Sequence, residues 1–152
     1  MDLQHIPKDK KLKKSILLGS VILFLLSLTQ RCYCTTAECA DSIMAFLLGW
    51  AALFYGGTGL TWLANPLLFA AWLTLNKMLK TSMFLSVFAA LTSLSFLLFD
   101  AVLDNESGQM HPIISYRPGY WLWTASALVM LAGTFVLMFR HNARIARMWN
   151  QR

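Results

Sequence analysis

Charge is what this chain has least of. Asp, Glu, Lys and Arg together make up 13% of its 152 residues, where an average soluble domain carries about 25%. So few charges cannot clothe a core in a solvated surface, and a hydrophobic fraction of 57% points to lipid as the natural solvent. The signatures of soluble catalysis are also missing: no glycine-rich phosphate loop, no His-Glu-x-x-His pair and no nucleophile elbow. His5, His111 and His141 fall in separate regions. These absences argue against an enzyme and against a bound cofactor. No apolar run holds an ionisable residue at its centre, which counts against coupled transport. Cysteine occurs only as Cys32, Cys34 and Cys39, and the length leaves room for one domain.

What charge there is carries information by its placement. The net charge of +6 would suggest nucleic acid in a soluble protein. Here the basic residues flank apolar runs, so they are read as orienting signals and as contacts for anionic lipid headgroups, with no nucleic-acid partner. Lys8, Lys10, Lys11, Lys13 and Lys14 precede the apolar run 16–28. A basic flank before a short apolar core is also how a signal peptide begins, but no small-x-small site follows directly, so an uncleaved first span is expected over 15–30. The next apolar stretch continues to residue 75. As one straight helix it would be about 52 Å long against a hydrocarbon core of roughly 30 Å. A break is expected at Asn65-Pro66, because proline cannot continue a helix and disfavours helical geometry in its predecessor.

The expected architecture is therefore all-α and polytopic: spans over 42–64, 82–100 and 120–139 join the first, with a short broken or re-entrant helix over 66–78. Four crossings put Lys8, Lys10, Lys11, Lys13, Lys14, Lys77, Lys80, Arg140, Arg144, Arg147 and Arg152 on the cytoplasmic side and only Arg31 and Arg117 outside. Both termini are then cytoplasmic. Trp62 and Trp72 flank the inner break, and Tyr120, Trp121 and Trp123 mark the outer start of the last span, as interfacial aromatics do.

Two stripes of small residues predict how the spans pack. Ala45, Gly49, Ala52 and Gly56 share one face of the second span, and Ser82, Ser86, Ala90 and Ser93 share one face of the third. Small side chains let backbones approach closely, so these two faces are expected to meet. The outer-loop thiols are expected to oxidise, with Cys34–Cys39 or Cys32–Cys39 as the clip. Two further uses of this cluster compete with a static clip. Zinc could be held by the three thiols and His111, although Cys-x-Cys is a tight spacing for such a site. Thiol–disulfide exchange would suit the topology, since four-span membrane oxidoreductases use outer-loop cysteines, yet Cys-x-x-Cys is absent. The Asn65-Pro66 break could serve a small channel or transporter by exposing backbone polar groups. Multidrug exporters with four short spans are similar in outline, but their central carboxylate has no counterpart. Near the C-terminus Arg140, Arg144 and Arg147 share a helical face suited, with Lys10, Lys11, Lys13 and Lys14, to lipid headgroups. Asn105-Glu106-Ser107 fits a glycosylation acceptor.

The runs Leu48-Gly49-Trp50, Trp62-Leu63-Ala64-Asn65-Pro66-Leu67 and Gly119-Tyr120-Trp121-Leu122-Trp123-Thr124-Ala125-Ser126 resemble a group of small, uncharacterised bacterial membrane proteins. The resemblance spans the second to fourth apolar runs. It implies a bacterial inner-membrane setting and carries over no functional residues. The expected function is that of a non-enzymatic membrane protein acting through lipid or protein contacts, as a homo-oligomer, an accessory subunit, or an immunity or defence effector.

Overall fold

Helix α1, Pro7–Leu28, takes in the lysine cluster and the apolar run behind it. The computed structural model describes residues 7–55, 57–103 and 109–149. Gly56, the polar loop 104–108 with Asn105, and Arg152 lie outside them, as does the Lys8 side chain. After α1 come strands β1 (Arg31–Thr35) and β2 (Cys39–Asp41), then helix α2 (Ser42–Leu48) and two 3₁₀ segments, Ala51–Tyr55 and Gly57–Leu63. Helix α3 (Ala64–Thr74) and helix α4 (Leu79–Ser95) form a hairpin, and α4 is prolonged by a 3₁₀ turn, Phe96–Leu98. Strands β3 (Ala101–Leu103) and β4 (Met110–Tyr116) lead into helix α5, Pro118–Trp149.

This overturns the four-span, all-α expectation in two ways. Among the described residues, only Leu79–Leu98 and Pro118–Trp149 are helices long and apolar enough to cross a membrane. The apolar part of α1, 15–28, covers only about 21 Å at 1.5 Å per residue, and the lysines fill the rest of the helix. The expected second span does not exist as a helix. It unwinds after Leu48, and Trp62 holds it unwound by donating its indole N–H to the Phe46 carbonyl at 2.8 Å. That carbonyl belongs to the last turn of α2, where the helix leaves acceptors unpaired. Gly49 makes room for the ring: a Cβ there would lie 2.5 Å from Trp62 Cδ1. Gly57, at φ +56°, then reverses the chain in a conformation that other residues resist.

The second departure is a four-stranded antiparallel sheet of order β2-β1-β4-β3. Cys34 pairs with Cys39 across β1–β2, Tyr33 with Tyr116 across β1–β4, and Val102 with His111 across β3–β4. The sheet roofs one end of the helices. Under it Tyr33, Phe96, Tyr116 and Tyr120 stack at ring separations of 5.0–6.0 Å.

The helices are tied by hydroxyl and indole groups. Trp72 of α3 donates to Ser20 Oγ of α1 (2.9 Å), and Ser20 donates in turn to the Ser126 carbonyl of α5 (2.8 Å). Ser82 of α4 donates to the Ala71 carbonyl of α3 (2.8 Å), Tyr120 of α5 to the Ser93 carbonyl of α4 (3.1 Å), and Trp123 to Asn65 Oδ1 (2.9 Å). Other buried hydroxyls turn back on their own helix, as Ser86 does to the Ser82 carbonyl and Thr134 to the Met130 carbonyl. α1 and α5 run antiparallel: Ser20 lies level with Ser126, Ile16 packs on Gly133, and Asp9 forms a paired ion bridge with Arg144, Nη2 to Oδ1 being 2.9 Å.

Two variants test this contact. A Cβ on Gly133 would lie 2.5–2.8 Å from three atoms of the Ile16 side chain. Gly133→Val should therefore lower the melting temperature in detergent by an amount equivalent to about 1–3 kcal/mol, and Ile16→Ala in the same chain should recover part of it. The Arg144 hydrogen bond holds the Asp9 carboxyl below its ordinary range, outweighing the opposing effect of burial. A depressed folded value means the tie is fully present above the unfolded value of 3.8 and is lost as pH falls through the lower folded one. Asp9→Asn should melt earlier than the native chain at pH 7, by no more than about 1 kcal/mol for a half-exposed pair. In strong acid the two should converge.

Candidate functional site: a cavity between the sheet and the helices

The unwinding of the chain after α2 leaves a space of about 520 Å³ under the sheet. Its roof is β1–β2, through Cys32, Tyr33 and Ala40; Phe24 and Phe46 stand on one side, and Tyr120 and Trp123 on the other. Phe24 and Phe46 meet edge to face at 5.6 Å, and Tyr120 and Trp123 lie 6.1 Å apart. Aromatic pairs of this kind keep walls rigid. Volume and lining fall in the range of small-molecule sites, mostly apolar with a few placed polar groups.

The buried polar side chains of the lining are Asn65, Ser42, Thr61 and Ser27, the last bonded to the Phe24 carbonyl. Asn65 is buried, and its Oδ1 accepts from Trp123 Nε1–H at 2.9 Å. An indole N–H only donates, so the amide oxygen must face Trp123, which leaves Asn65 its two N–H donors and one oxygen lone pair. Ser42, 8% exposed, has no hydrogen-bond partner for its Oγ among the described residues. The Cys32 thiol lies beside it; the thiol proton goes to the Ala40 carbonyl at 3.3 Å, and the sulfur is only a weak acceptor for the hydroxyl. Thr61, by contrast, spends its hydroxyl on the Thr58 carbonyl at 2.6 Å.

The three cysteines divide. Cys34 and Cys39 form a disulfide that clips β1 to β2, and Cys32 is a free, buried thiol. Arg117 Nε donates to Cys34 Sγ at 3.2 Å, so the bridge is held against the start of α5. Two of the three thiols weighed as zinc ligands beside His111 are thus consumed. His111 instead stands in β4 opposite Val102, and among the described residues no three His, Cys, Asp or Glu side chains cluster as metal ligands. Burial pushes the Cys32 thiol up to about 11, the backbone N–H of Tyr33 offsetting only part of this. Such a thiol is almost wholly protonated at neutral pH and is a poor nucleophile.

The two small-residue stripes do not face each other. Ser82, Ser86, Ala90 and Ser93 are buried on α4, which packs against α3 and α5. Ala45, Gly49 and Ala52 line the cavity instead, and their lack of bulk is part of why it is open. Asn65 and Pro66 stand in the first turn of α3, where a proline's missing N–H costs no hydrogen bond. The chain therefore continues as a helix through Asn65-Pro66, with the Asn65 amide oxygen bound by Trp123 and its N–H donors left over. Antiparallel packing of α1 on α5 brings Lys10, Lys11, Lys13 and Lys14 to the same end of the molecule as Arg140, Arg144 and Arg147. Sequence reasoning missed the cavity and its donors; the one available signal was the Gly49–Gly59 cluster opposing a continuous helix.

Since Cys32 is shielded and protonated and the other two sulfurs are bridged, a maleimide at pH 7 should label no native cysteine in the folded protein. Unfolding should expose one, and unfolding with reduction should expose three. Native labelling of Cys32 would refute the buried placement. No family model, no curated protein and no solved structure matches this chain.

Proposed function

We propose that this chain is a non-enzymatic protein of a bacterial inner membrane that works through contacts with lipid or with another membrane protein. The observation that carries the reading is that small hydroxyls share the interior with Leu68, Leu75 and Met130 while many large apolar side chains stand outside. Ser20, Ser27, Ser82, Ser86, Ser93 and Ser126 are fully enclosed, while Leu25, Phe84, Leu91, Phe135 and Phe139 stand outside, with Phe84 at 63% and Phe139 at 70% exposure. In water the large apolar groups would be drawn inward and so wide an apolar exterior would aggregate. In lipid the preference disappears, and association relies on small residues and interhelical hydrogen bonds. Hydroxyls bonded back to their own helix suit the same solvent.

In this reading α4 and α5 cross the bilayer, and α1 and α3 pack alongside them. Lys10, Lys11, Lys13, Lys14, Lys77, Lys80, Arg140, Arg144 and Arg147 occupy one end, and only Arg31 and Arg117 lie at the sheet end among the described residues. That asymmetry favours a cytoplasmic basic end, resting on anionic headgroups, and an outward-facing sheet. An oxidising outer compartment also suits the Cys34–Cys39 bridge. No described Asp, Glu, Lys or Arg is buried, so proton-coupled transport has no carrier within the helices.

The orientation is tested with one added thiol at each end, at the exposed positions Ile114 and His141. In spheroplasts an impermeant maleimide should label Ile114→Cys directly, and His141→Cys only after permeabilisation. The reverse pattern would overturn the orientation. Release of the protein from membranes by alkaline carbonate would overturn the membrane assignment itself.

A further inference from the structure

We infer that the cavity under the sheet binds a membrane-dissolved amphipath whose head is uncharged and bears carbonyl acceptors. The inference rests on the membrane reading above but goes beyond it. Three observations lead to it. First, the lining includes Met44 and Leu48, which are 52% and 60% exposed and belong to the apolar exterior of α2. The mouth is therefore continuous with the lipid-facing surface, and a hydrocarbon chain can enter sideways without crossing water.

Second, the polar groups presented by the lining suit a carbonyl. Asn65 has its oxygen bound by Trp123 and retains N–H donors. Ser42 Oγ is more than nine-tenths buried and, among the described residues, has no polar neighbour to satisfy it but the weakly accepting Cys32 sulfur. A buried hydroxyl left unsatisfied is costly, and an acceptor brought by a ligand removes that cost. Third, charge selects against an anionic head. Glu38 and Asp41 edge the cavity on the sheet side, Asp41 holding Arg31 at 3.8 Å, and among the described residues no Lys or Arg lines it. A carboxylate or phosphate would meet the Glu38 carboxylate there, and Arg31 at the rim is already engaged by Asp41.

An acylglycerol ester and a prenyl quinone share this chemistry. The aromatic walls suit either. Both are bound here as ligands only, with no covalent or redox step.

Trp62 and Trp123 line the cavity, so their fluorescence reports occupancy. The purified full chain in detergent would be titrated with decylubiquinone, with 1,2-dioctanoylglycerol, and with dioctanoylphosphatidylglycerol as the anionic control. Saturable binding of at least one neutral probe, and none of the anion, is expected; which neutral probe binds identifies the source. Ala45→Phe, which fills the space beside Phe46, should abolish the response. Ser42→Ala removes a hydroxyl whose polar neighbour in the fold is the weakly accepting Cys32 sulfur, so its melting temperature should change little while the neutral probe binds up to about tenfold more weakly. If Ala45→Phe does not fold, the Ser42→Ala titration decides alone. Failure of both neutral probes to bind, equal binding of the anion, or binding indifferent to Ser42→Ala would overturn the inference. A chain that resists carbonate extraction yet binds neither neutral probe would refute the cavity assignment and leave the membrane reading standing.

Discussion

One serine fixes the relative depth of three helices. Ser20 receives the Trp72 indole N–H from α3 and passes its own proton to the Ser126 carbonyl of α5, so α1, α3 and α5 meet at one level. Where lipid surrounds the helices, sliding one past another changes little apolar exposure, and burial alone sets no register. Directional bonds do. Once Ser20 is level with Ser126, the antiparallel course of α1 and α5 places Ile16 on Gly133 and Asp9 on Arg144. The Ser82–Ala71, Tyr120–Ser93 and Trp123–Asn65 bonds repeat the device between the remaining neighbours. Each is modest alone, about 0.6 kcal/mol on average in comparable helix bundles, and their value lies in direction more than in strength.

The same register produces the electrostatic layout. Because α1 and α5 are antiparallel neighbours, two basic clusters far apart in sequence lie side by side at one end. Such crowding of like charge would repel, and Asp9 stands among it: the Arg144 hydrogen bond acts on its carboxyl first, and Arg140 and Lys13 reinforce it through space. One carboxylate thus joins the helices and relieves the cluster. The rest of the basic charge remains exposed, where the proposed membrane reading would set it against anionic headgroups.

Much of the helical framework was legible. The apolar runs before Leu28, from Ser82 and from Tyr120 lie on α1, α4 and α5, because long periodic-free apolar stretches leave little else to form. The serines of α4 were recognisable as an inward face from their spacing. Their partner was not, since a stripe says that something packs closely but not what. The second span failed for a local reason: Gly49, Gly57 and Gly59 weaken a helix, and a tryptophan 16 residues along supplies the carbonyl's alternative partner. The sheet was hidden by brevity. β2 and β3 have three residues each, and Pro112 inside β4 argues against a strand. Ile113, Ile114 and Tyr116, bounded by Pro118-Gly119, were the overlooked hint.

The failed helix and the cavity have one cause. A continuous helix over 42–64 would have set Ala45, Gly49 and Ala52 against a neighbour and closed the space. Instead the chain turns away, and the gap it leaves is kept from collapsing by parts that do not move together. The disulfide clips β1 to β2, Arg117 ties the bridge to α5, and Trp62 holds the unwound segment to Phe46. Packed interiors normally close voids of this size, because an empty lining forfeits dispersion contacts. A void maintained by separate covalent and hydrogen-bonded supports, with a poorly satisfied hydroxyl in its wall, fits the ligand space inferred above better than a packing defect, and on the proposed membrane reading its mouth opens to lipid.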